Sequence, residues 1–376
     1  MAARGSIPAI MKQAGIDMLP PEAGIPIVRR ELTTGTCGEL VIGQKLGIMM
    51  QDFDPQGGLD TSNDGPLQSA LRARGVMTGE IVGMGLFSGL TVETVLDPAK
   101  QPFLYDHQIN GTPVLPGVMG IEAMAEAAKL IFPDRFVGVV EDVHFLSPFK
   151  FYRGQPRTIT IYANFYPDKE DIVAECRLTG SRTLHGQSEP EVTMHFTGRV
   201  RLVTSPFAAG KESNVPAIEA GLKAEGAQVY RVFFHGPAYQ VIDSAWRKDD
   251  QVIGLFAKNL PLNHEPAELP LVVSPRFIEM CFQTASLTGL AFQSRLGLPY
   301  AFRELKLAAP PDSAQDGTYF AVVVSNPDDS YDVKVIDAQG NVPMILRGYR
   351  TMNLPDPIQA DLLEPIQCAF QVELKK

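Results

Sequence analysis

The sequence predicts an α+β protein built from two tandem units, in each of which a curled antiparallel sheet wraps around one central helix. Segments rich in β-branched and aromatic residues follow one another with no helix between them, which is typical of antiparallel strands. Two other segments are apolar nearly all round, as a helix enclosed by a sheet must be. The order of one helix followed by several strands occurs twice, so a parallel sheet with alternating helices is excluded.

The chain of 376 residues is long enough for two or three domains and a substantial core. Residues 51–75 are rich in Asp, Gly, Ser, Asn and Pro and show little periodicity, which indicates a linker. The predicted organisation is an N-terminal appendage (1–50), this linker, a first unit (76–205), a second unit (216–355) and a C-terminal tail (356–376).

In the first unit, strands are predicted over residues 90–96, 158–165, 172–178 and 192–202, because Gly, Pro, Asp or Asn bounds each run. A helix is predicted over residues 118–131, whose sequence is VMGIEAMAEAAKLI and which Pro133 stops. Glu122 on this helix is interpreted as a solvated carboxylate or as a partner of Lys129.

The second half repeats this order. Aligning residues 115–130 with 272–287 places Glu122 over Glu279 and predicts a second central helix over residues 277–292. Aligning residues 140–148 with 302–310 then superimposes the strands that follow, each with an apolar-acidic rhythm ending in Pro. The match in element order favours an internal duplication.

Composition excludes several classes of function. A formal net charge of -10 argues against a nucleic-acid partner, which would need a basic face. The 4 cysteines lie far apart without a CxxC pair, so neither a metal site nor a disulfide framework is expected. No segment reaches about 18 uninterrupted apolar residues, so no membrane span is expected. We therefore expect a cytoplasmic protein.

Residues 105–120 read YDHQINGTPVLPGVMG, and within them His107, Gly111 and Pro116 fit the motif HxxxGxxxxP. This motif resembles that of the dehydratase domains of type I polyketide synthases and fatty acid synthases, including those of the polyunsaturated-fatty-acid type. Residues 143–151 (VHFLSPFKF) resemble the family's strand after the first helix, and residues 233–240 (FFHGPAYQ) resemble its YGPxFQ segment. Residues 274–283 (SPRFIEMCFQ) resemble HPxLLDxxxQ. The resemblance covers about residues 75–353.

The resemblance implies a double hot-dog fold and a hydro-lyase that removes water from a 3-hydroxyacyl thioester to give a 2-enoyl thioester. It implies no metal and no cofactor bound by the chain itself, because the substrate is carried on the phosphopantetheine of an acyl carrier protein. The expected partners are that carrier protein and the other domains of a synthase, and family members often form homodimers. Residues 1–50 resemble the tail of a preceding ketoreductase domain.

The resemblance also implies roles for individual residues. His107 is the expected base, since abstraction of an α-proton needs a group whose pKa lies near neutrality. Glu279 stands where the family has an aspartic acid and is the expected acid, with Gln283 holding it. The expected substrate-binding residues are Gly111, Pro116, Gly117, Val118, His235, Gly236 and Tyr239. Among them, the amides of Gly117 and Val118 would bind the thioester carbonyl.

Two other functions stay open at this point. Because glutamate replaces aspartate at position 279, the chain could be a degenerate dehydratase that only binds acyl groups. A cyclase or double-bond isomerase could use the same histidine and carboxyl pair in a pocket of different shape. A thioesterase is disfavoured, since no GxSxG nucleophile pattern is present.

Overall fold

A computed structural model of the chain describes residues 6–34, 41–52, 74–85, 89–182, 190–308, 317–353 and 358–370. Most of the predicted linker (53–73) and part of the predicted tail (356–357 and 371–376) lie outside these residues. The domain boundaries given above therefore stay predictions. Among the residues described, no helix is long and apolar enough to cross a membrane.

The N-terminal appendage contains two helices, two short paired strands and a 3₁₀ helix. They are α1 (Ile7–Gln13), β1 (Ile16–Asp17), α2 (Pro21–Thr34), β2 (Lys45–Leu46) and the 3₁₀ helix Gly47–Asp52. Its apolar side chains are largely exposed, with Leu32 at 81% and Ile10 at 60%. None of the described residues of the appendage belongs to the buried core of the molecule.

The first unit places one long helix between strands. Its elements are β3 (Glu80–Gly85), β4 (Gly89–Leu96), α3 (Pro102–Tyr105), β5 (Gln108–Ile109), β6 (Thr112–Pro113), α4 (Gly117–Ile131), β7 (Phe136–Phe145), β8 (Arg157–Asp168), β9 (Asp171–Arg182) and β10 (Glu191–Val203). All four predicted strands and the predicted helix are confirmed.

The second unit repeats this arrangement. Its elements are β11 (Gly210–Lys211), β12 (Ala224–Glu225), α5 (Gly226–Val229), β13 (Ile242–Lys248), β14 (Gln251–Phe256), α6 (Pro275–Gln293), β15 (Gly297–Leu307), β16 (Tyr319–Ser325), β17 (Tyr331–Asp337), β18 (Asn341–Val342) and β19 (Met344–Asn353). The second predicted central helix is confirmed as α6. A last helix, α7 (Ala360–Ala369), contacts α6 and α5.

Within the described residues, one antiparallel sheet joins both units. Its strand order is β12-β13-β14-β16-β17-β19-β15-β7-β10-β9-β8-β4-β3. The two units meet where β7 pairs with β15, with Val140 opposite Leu305. These are the two strands that the sequence repeat superimposes. The core surrounds α4 and α6, which contact each other and the concave face of the sheet.

The prediction that Glu122 is a solvated or ion-paired carboxylate is wrong. Glu122 is fully buried, and its carboxylate accepts hydrogen bonds from the backbone N–H groups of Val272 and Val273 in the second unit, the latter at 3.0 Å. Burial raises the pKa of Glu122 to about 7. A surface position was expected because the helical pattern does not show that the start of α6 packs on this turn of α4.

Candidate active site

The first candidate residue, His107, lies at the start of a small hairpin. Strands β5 and β6 are joined by Asn110 and Gly111, both with positive φ (50° and 73°), as a two-residue hairpin turn of the I′ kind requires. The Nδ1–H of His107 donates to the carbonyl of Val114 at 2.8 Å. Because Nδ1 is engaged, Nε2 is the nitrogen available to act as a base.

The other residues of the HxxxGxxxxP motif shape this loop. Gly111 is exposed, and a Cβ built on it would meet nothing within 4 Å, so its importance lies in the turn. Pro116 precedes the first turn of α4, and its carbonyl accepts from the N–H groups of Met119 and Gly120. Gly117 lines the cleft described below, whereas Val118 is buried in the core. Of these residues, Gly117 lines the cleft, Gly111 lies in the exposed turn, and the side chains of Pro116 and Val118 are buried.

Glu279 and Gln283 lie one turn apart on α6, so their side chains share a face of the helix. Gln283 Nε2 donates to Glu279 Oε1 at 3.0 Å and also to the carbonyl of Tyr239 at 2.9 Å. The hydroxyl of Tyr230 donates to Gln283 Oε1 at 2.8 Å, and the N–H of Ile242 donates to that hydroxyl. Tyr230 therefore fixes the amide so that its N–H₂ points towards Glu279.

The segment that contains His235 completes the site from the second unit. His235 Nε2 lies 3.1 Å from Glu279 Oε1, and both side chains are more than nine-tenths buried. The backbones of His107 and His235 form an isolated antiparallel bridge, and the two rings lie 5.3 Å apart. His235, which was expected to bind substrate, lines the cleft and contacts the carboxylate of Glu279.

Asp106 ties the two loops together, and sequence reasoning missed it. Its carbonyl accepts from the N–H of Gly236 at 2.6 Å, and its carboxylate accepts from the N–H of Ala238 at 2.7 Å. A Cβ at Gly236 would lie 2.6 Å from the Asp106 carboxylate, so the close approach requires glycine. The feature of the sequence that could have indicated this role is the position of Asp106 directly before His107.

Tyr239 and Gly236 stand behind the site and do not line the cleft. Tyr239 was expected to bind substrate, but its side chain is fully buried in the core. Its carbonyl accepts from Gln283, so it supports the site through its backbone. Tyr230, which no sequence pattern indicated, has the more direct role, because its hydroxyl donates to Gln283.

Burial and neighbouring charges set the protonation of the two reactive groups. Burial lowers the pKa of His107 to about 4, with a further lowering by His235, so the imidazole is neutral at pH 7. Burial would raise the pKa of Glu279, but the hydrogen bond and charge of His235, together with His107 and Gln283, bring it below its ordinary value. Glu279 is therefore ionised at neutral pH.

His107, His235, Glu279 and Gln283 line a cleft of about 130 Å³. Most other lining residues are apolar and come from both units, among them Phe145, Phe196, Phe234, Phe282, Leu298 and Met352. Such a cleft suits an apolar chain with one polar reacting centre. Within the described part of the chain, no group of three or more His, Cys, Asp or Glu residues could hold a metal ion.

The sequence was also compared with known proteins. Residues 84–172 match the family model described as the polyketide synthase dehydratase domain. Residues 216–361 match the model described as the polyketide synthase dehydratase N-terminal domain. The two matches together span more than half of the chain.

Among curated proteins, the polyketide synthases PksM and PksN of Bacillus subtilis (strain 168) are similar to this chain. PksM is 24% identical over 266 residues, which is 65% of this chain and 6% of PksM. PksN is 24% identical over 276 residues, which is 68% of this chain and 5% of PksN. The chain thus spans about a twentieth of the length of the curated relatives that it matches.

Solved structures show the same fold. The dehydratase domain from the CurF module of curacin polyketide synthase has a TM-score of 0.61 at 19% identity, over 75% of this chain and 100% of that one. A trans-AT polyketide synthase dehydratase domain from Brevibacillus brevis has a TM-score of 0.56 at 20% identity, over 73% and 98%. The expected double hot-dog fold is confirmed.

Proposed function

The chain belongs to the polyketide synthase dehydratase family, and from this premise we propose that it removes water from a 3-hydroxyacyl thioester to give a 2-enoyl thioester. The observation that carries the proposal is the meeting of His107, from the first unit, and Glu279, from the second, at one apolar cleft. A neutral imidazole and a carboxyl group are the base and acid that such an elimination needs.

In the proposed reaction, Nε2 of His107 takes the proton from the α-carbon of the acyl group. The electron pair of that C–H bond forms the new double bond, and the C–O bond at the β-carbon breaks. The departing hydroxide receives a proton from the acid side of the site, where Glu279 stands, and leaves as water. Gln283 holds Glu279 in place through the 3.0 Å hydrogen bond.

The first turn of α4 is proposed to bind the thioester carbonyl. The helix begins at Gly117, so the N–H groups of Gly117 and Val118 have no acceptor within the helix. They would stabilise the negative charge that develops on the carbonyl oxygen as the α-proton leaves. Gly117 lines the cleft, and a Cβ there would lie 2.8 Å from the ring of Phe145, so the packing of that ring on the first turn requires glycine.

The substrate is proposed to arrive on the phosphopantetheine arm of an acyl carrier protein. The chain would then act beside that carrier and the other domains of a synthase, since its curated relatives are much longer polyketide synthases. No cofactor of the chain's own enters the proposed reaction. A homodimer remains a further proposal from the family resemblance.

Mass spectrometry of a 3-hydroxyacyl pantetheine or carrier-protein thioester incubated with the chain tests the function. We expect the loss of one water, and in the reverse direction the hydration of the enoyl thioester, with both reduced about 10²- to 10⁴-fold in His107→Ala. His144→Ala is the matched control, because His144 is exposed and lies outside the cleft. No turnover in either direction by folded wild type that binds the thioester would instead favour the acyl-binding module.

A further inference from the structure

The acid side of the cleft contains two titratable side chains where the reaction needs one. His235 Nε2 and Gln283 Nε2 both approach the same oxygen of Glu279, Oε1, at 3.1 and 3.0 Å. Hydrogen bonds and positive charge at that oxygen favour the ionised carboxylate. An ionised Glu279 has no proton to give to a leaving hydroxide, so a second group must store that proton.

The two histidines of the site differ in how their rings are held. The Nδ1–H of His107 donates to a backbone carbonyl, which fixes its tautomer and leaves Nε2 as a base. Among the described residues, Nδ1 of His235 has no hydrogen-bond partner although it is buried. No hydrogen bond at Nδ1 therefore fixes the tautomer of His235, and its ring contacts the carboxylate of Glu279 through Nε2.

The surroundings of His235 keep this proton within the site. The imidazole stacks on Phe234, with centroids 4.5 Å apart and planes 19° apart, and Phe233 contacts its edge. His235 is 8% exposed and Glu279 6%, so exchange of the proton with bulk water is restricted. Other titratable groups that face the pair include His107, Tyr230, Tyr239 and Tyr349. Burial raises the pKa of each of these tyrosines well above its ordinary value, so they stay neutral.

We propose that His235 and Glu279 together form the acid of this site and share one transferable proton across the contact between Nε2 and Oε1. This inference rests on the proposed dehydration and adds to it the residue that stores the proton. When the C–O bond breaks, the hydroxide takes the shared proton and becomes water. The pair is left as an ionised carboxylate and a neutral imidazole that keeps its proton on Nδ1, with Nε2 ready to take up the next proton.

His107 and the pair both return to their starting protonation states within one turnover. His107 holds the proton taken from the α-carbon, and the pair lacks the one given to the hydroxide. The rings of His107 and His235 lie 5.3 Å apart, so the released water can carry the proton from His107 back to the pair. The site returns to its starting state, and the net products are the enoyl thioester and water.

The inference is tested with two substitutions of different chemistry. His235→Gln keeps an N–H donor towards Glu279 but cannot take up a proton, whereas His235→Phe removes both properties. If His235 only positions Glu279, the glutamine variant retains activity. If His235 stores the proton, both variants lose water elimination about 10²- to 10⁴-fold, the range for a missing acid or base.

A change of leaving group separates the acid from the base. A 3-fluoroacyl pantetheine thioester eliminates fluoride, which needs far less protonation than hydroxide does. We expect both His235 variants to eliminate fluoride within about tenfold of the wild-type rate, while His107→Ala loses both reactions. Circular dichroism and thermal unfolding of each variant check that the fold persists.

Each outcome decides between the possibilities. Wild-type turnover together with an active His235→Gln, or with equal losses of water and fluoride elimination in the His235 variants, would overturn the shared-proton acid and leave the dehydratase standing. Absence of both reactions in the wild type would overturn the proposed function and this inference with it.

Discussion

At the scale of single residues, the site depends on two imidazoles held in different ways. A backbone carbonyl holds Nδ1 of His107 and leaves Nε2 free as the proposed base, and the carboxylate of Glu279 faces His235. His107 and Glu279 are both buried, and the pKa of each lies below its ordinary value. We therefore expect activity to depend on pH and on the length of the acidic side chain at position 279.

The pKa of His107, lowered to about 4 by burial, predicts where activity is lost on the acid side. A base works only when unprotonated, so kcat/KM should persist as the pH falls through 6.5 and should decline only near pH 4. The pH profile of kcat/KM measures this, with circular dichroism at each pH as the control for unfolding. A decline centred near pH 6.5 would contradict the buried neutral base.

The same pKa predicts a pH dependence of stability. The unfolded chain binds a proton at His107 below about pH 6.5, whereas the folded chain binds it only below about pH 4. The contribution of neutral His107 to the free energy of unfolding is therefore complete above about pH 6.5 and is lost as the pH falls to about 4. For a fully buried group, it amounts to a few kcal/mol. Urea unfolding of wild type and His107→Phe between pH 4 and 7 measures it, and identical slopes in the two proteins would refute it.

Restoring the family's residue tests the length of the acid. Glu279→Asp shortens the side chain by one methylene and withdraws the carboxylate from the donors at 3.1 and 3.0 Å on His235 and Gln283. Because a displacement of about 1 Å can cost on the order of a hundredfold, we expect a loss of about tenfold to a hundredfold in kcat. Steady-state kinetics measures this, and an unchanged kcat would show that glutamate is not adapted to this site.

At the scale of elements, the site is assembled from one loop of each unit together with helix α6. The hairpin of β5 and β6 positions His107, α6 positions Glu279 and Gln283, and the segment before β13 positions His235. Asp106 joins the two loops through the N–H groups of Gly236 and Ala238. The distance between base and acid therefore depends on a contact made outside the cleft.

Asp106→Ala is expected to disturb the site without touching the substrate. It leaves the buried N–H of Ala238 without its acceptor, which costs about 1–3 kcal/mol of stability, and it frees the two loops to separate. We expect kcat to fall on the order of tenfold to a hundredfold. Kinetics and thermal unfolding measure both effects. The exposed Asp134→Asn is the control, and wild-type kinetics in Asp106→Ala would show that the link is dispensable.

At the scale of the whole molecule, the two units share one sheet and one core. The pairing of β7 with β15 removes the edge that each unit would expose alone, and α4 contacts α6 across the same junction. Glu122 of α4 accepts from the backbone that leads into α6, which adds a buried polar link between the units. The units should therefore unfold together.

Leu305→Ala tests this cooperativity. Leu305 and its partner Val140 are both fully buried at the junction, so truncation should cost about 2–5 kcal/mol. Calorimetry is expected to show one transition that moves as a whole to lower temperature. Leu222→Ala is the control, because that side chain is 61% exposed. Two separated transitions would show that the units are thermodynamically independent.

The sequence by itself determined several of the strands, the two central helices and the candidate base. Strands β4, β8, β9 and β10 and helices α4 and α6 follow from patterns within short windows, and such local preferences need no tertiary contact to be visible. His107 stands in a motif whose spacing is local for the same reason. The repeat also indicated which strands correspond, namely β7 and β15.

Only the tertiary structure decided which distant residues meet. Glu122 and Glu279 occupy equivalent repeat positions, yet one is capped by backbone N–H groups of the other unit and the other faces two histidines. The contacts of Asp106 and Tyr230 likewise join segments far apart in the chain. The local sequence pattern shows which face of a helix is buried. It does not show which polar groups contact that face, because those groups belong to distant segments that only the folded chain brings there.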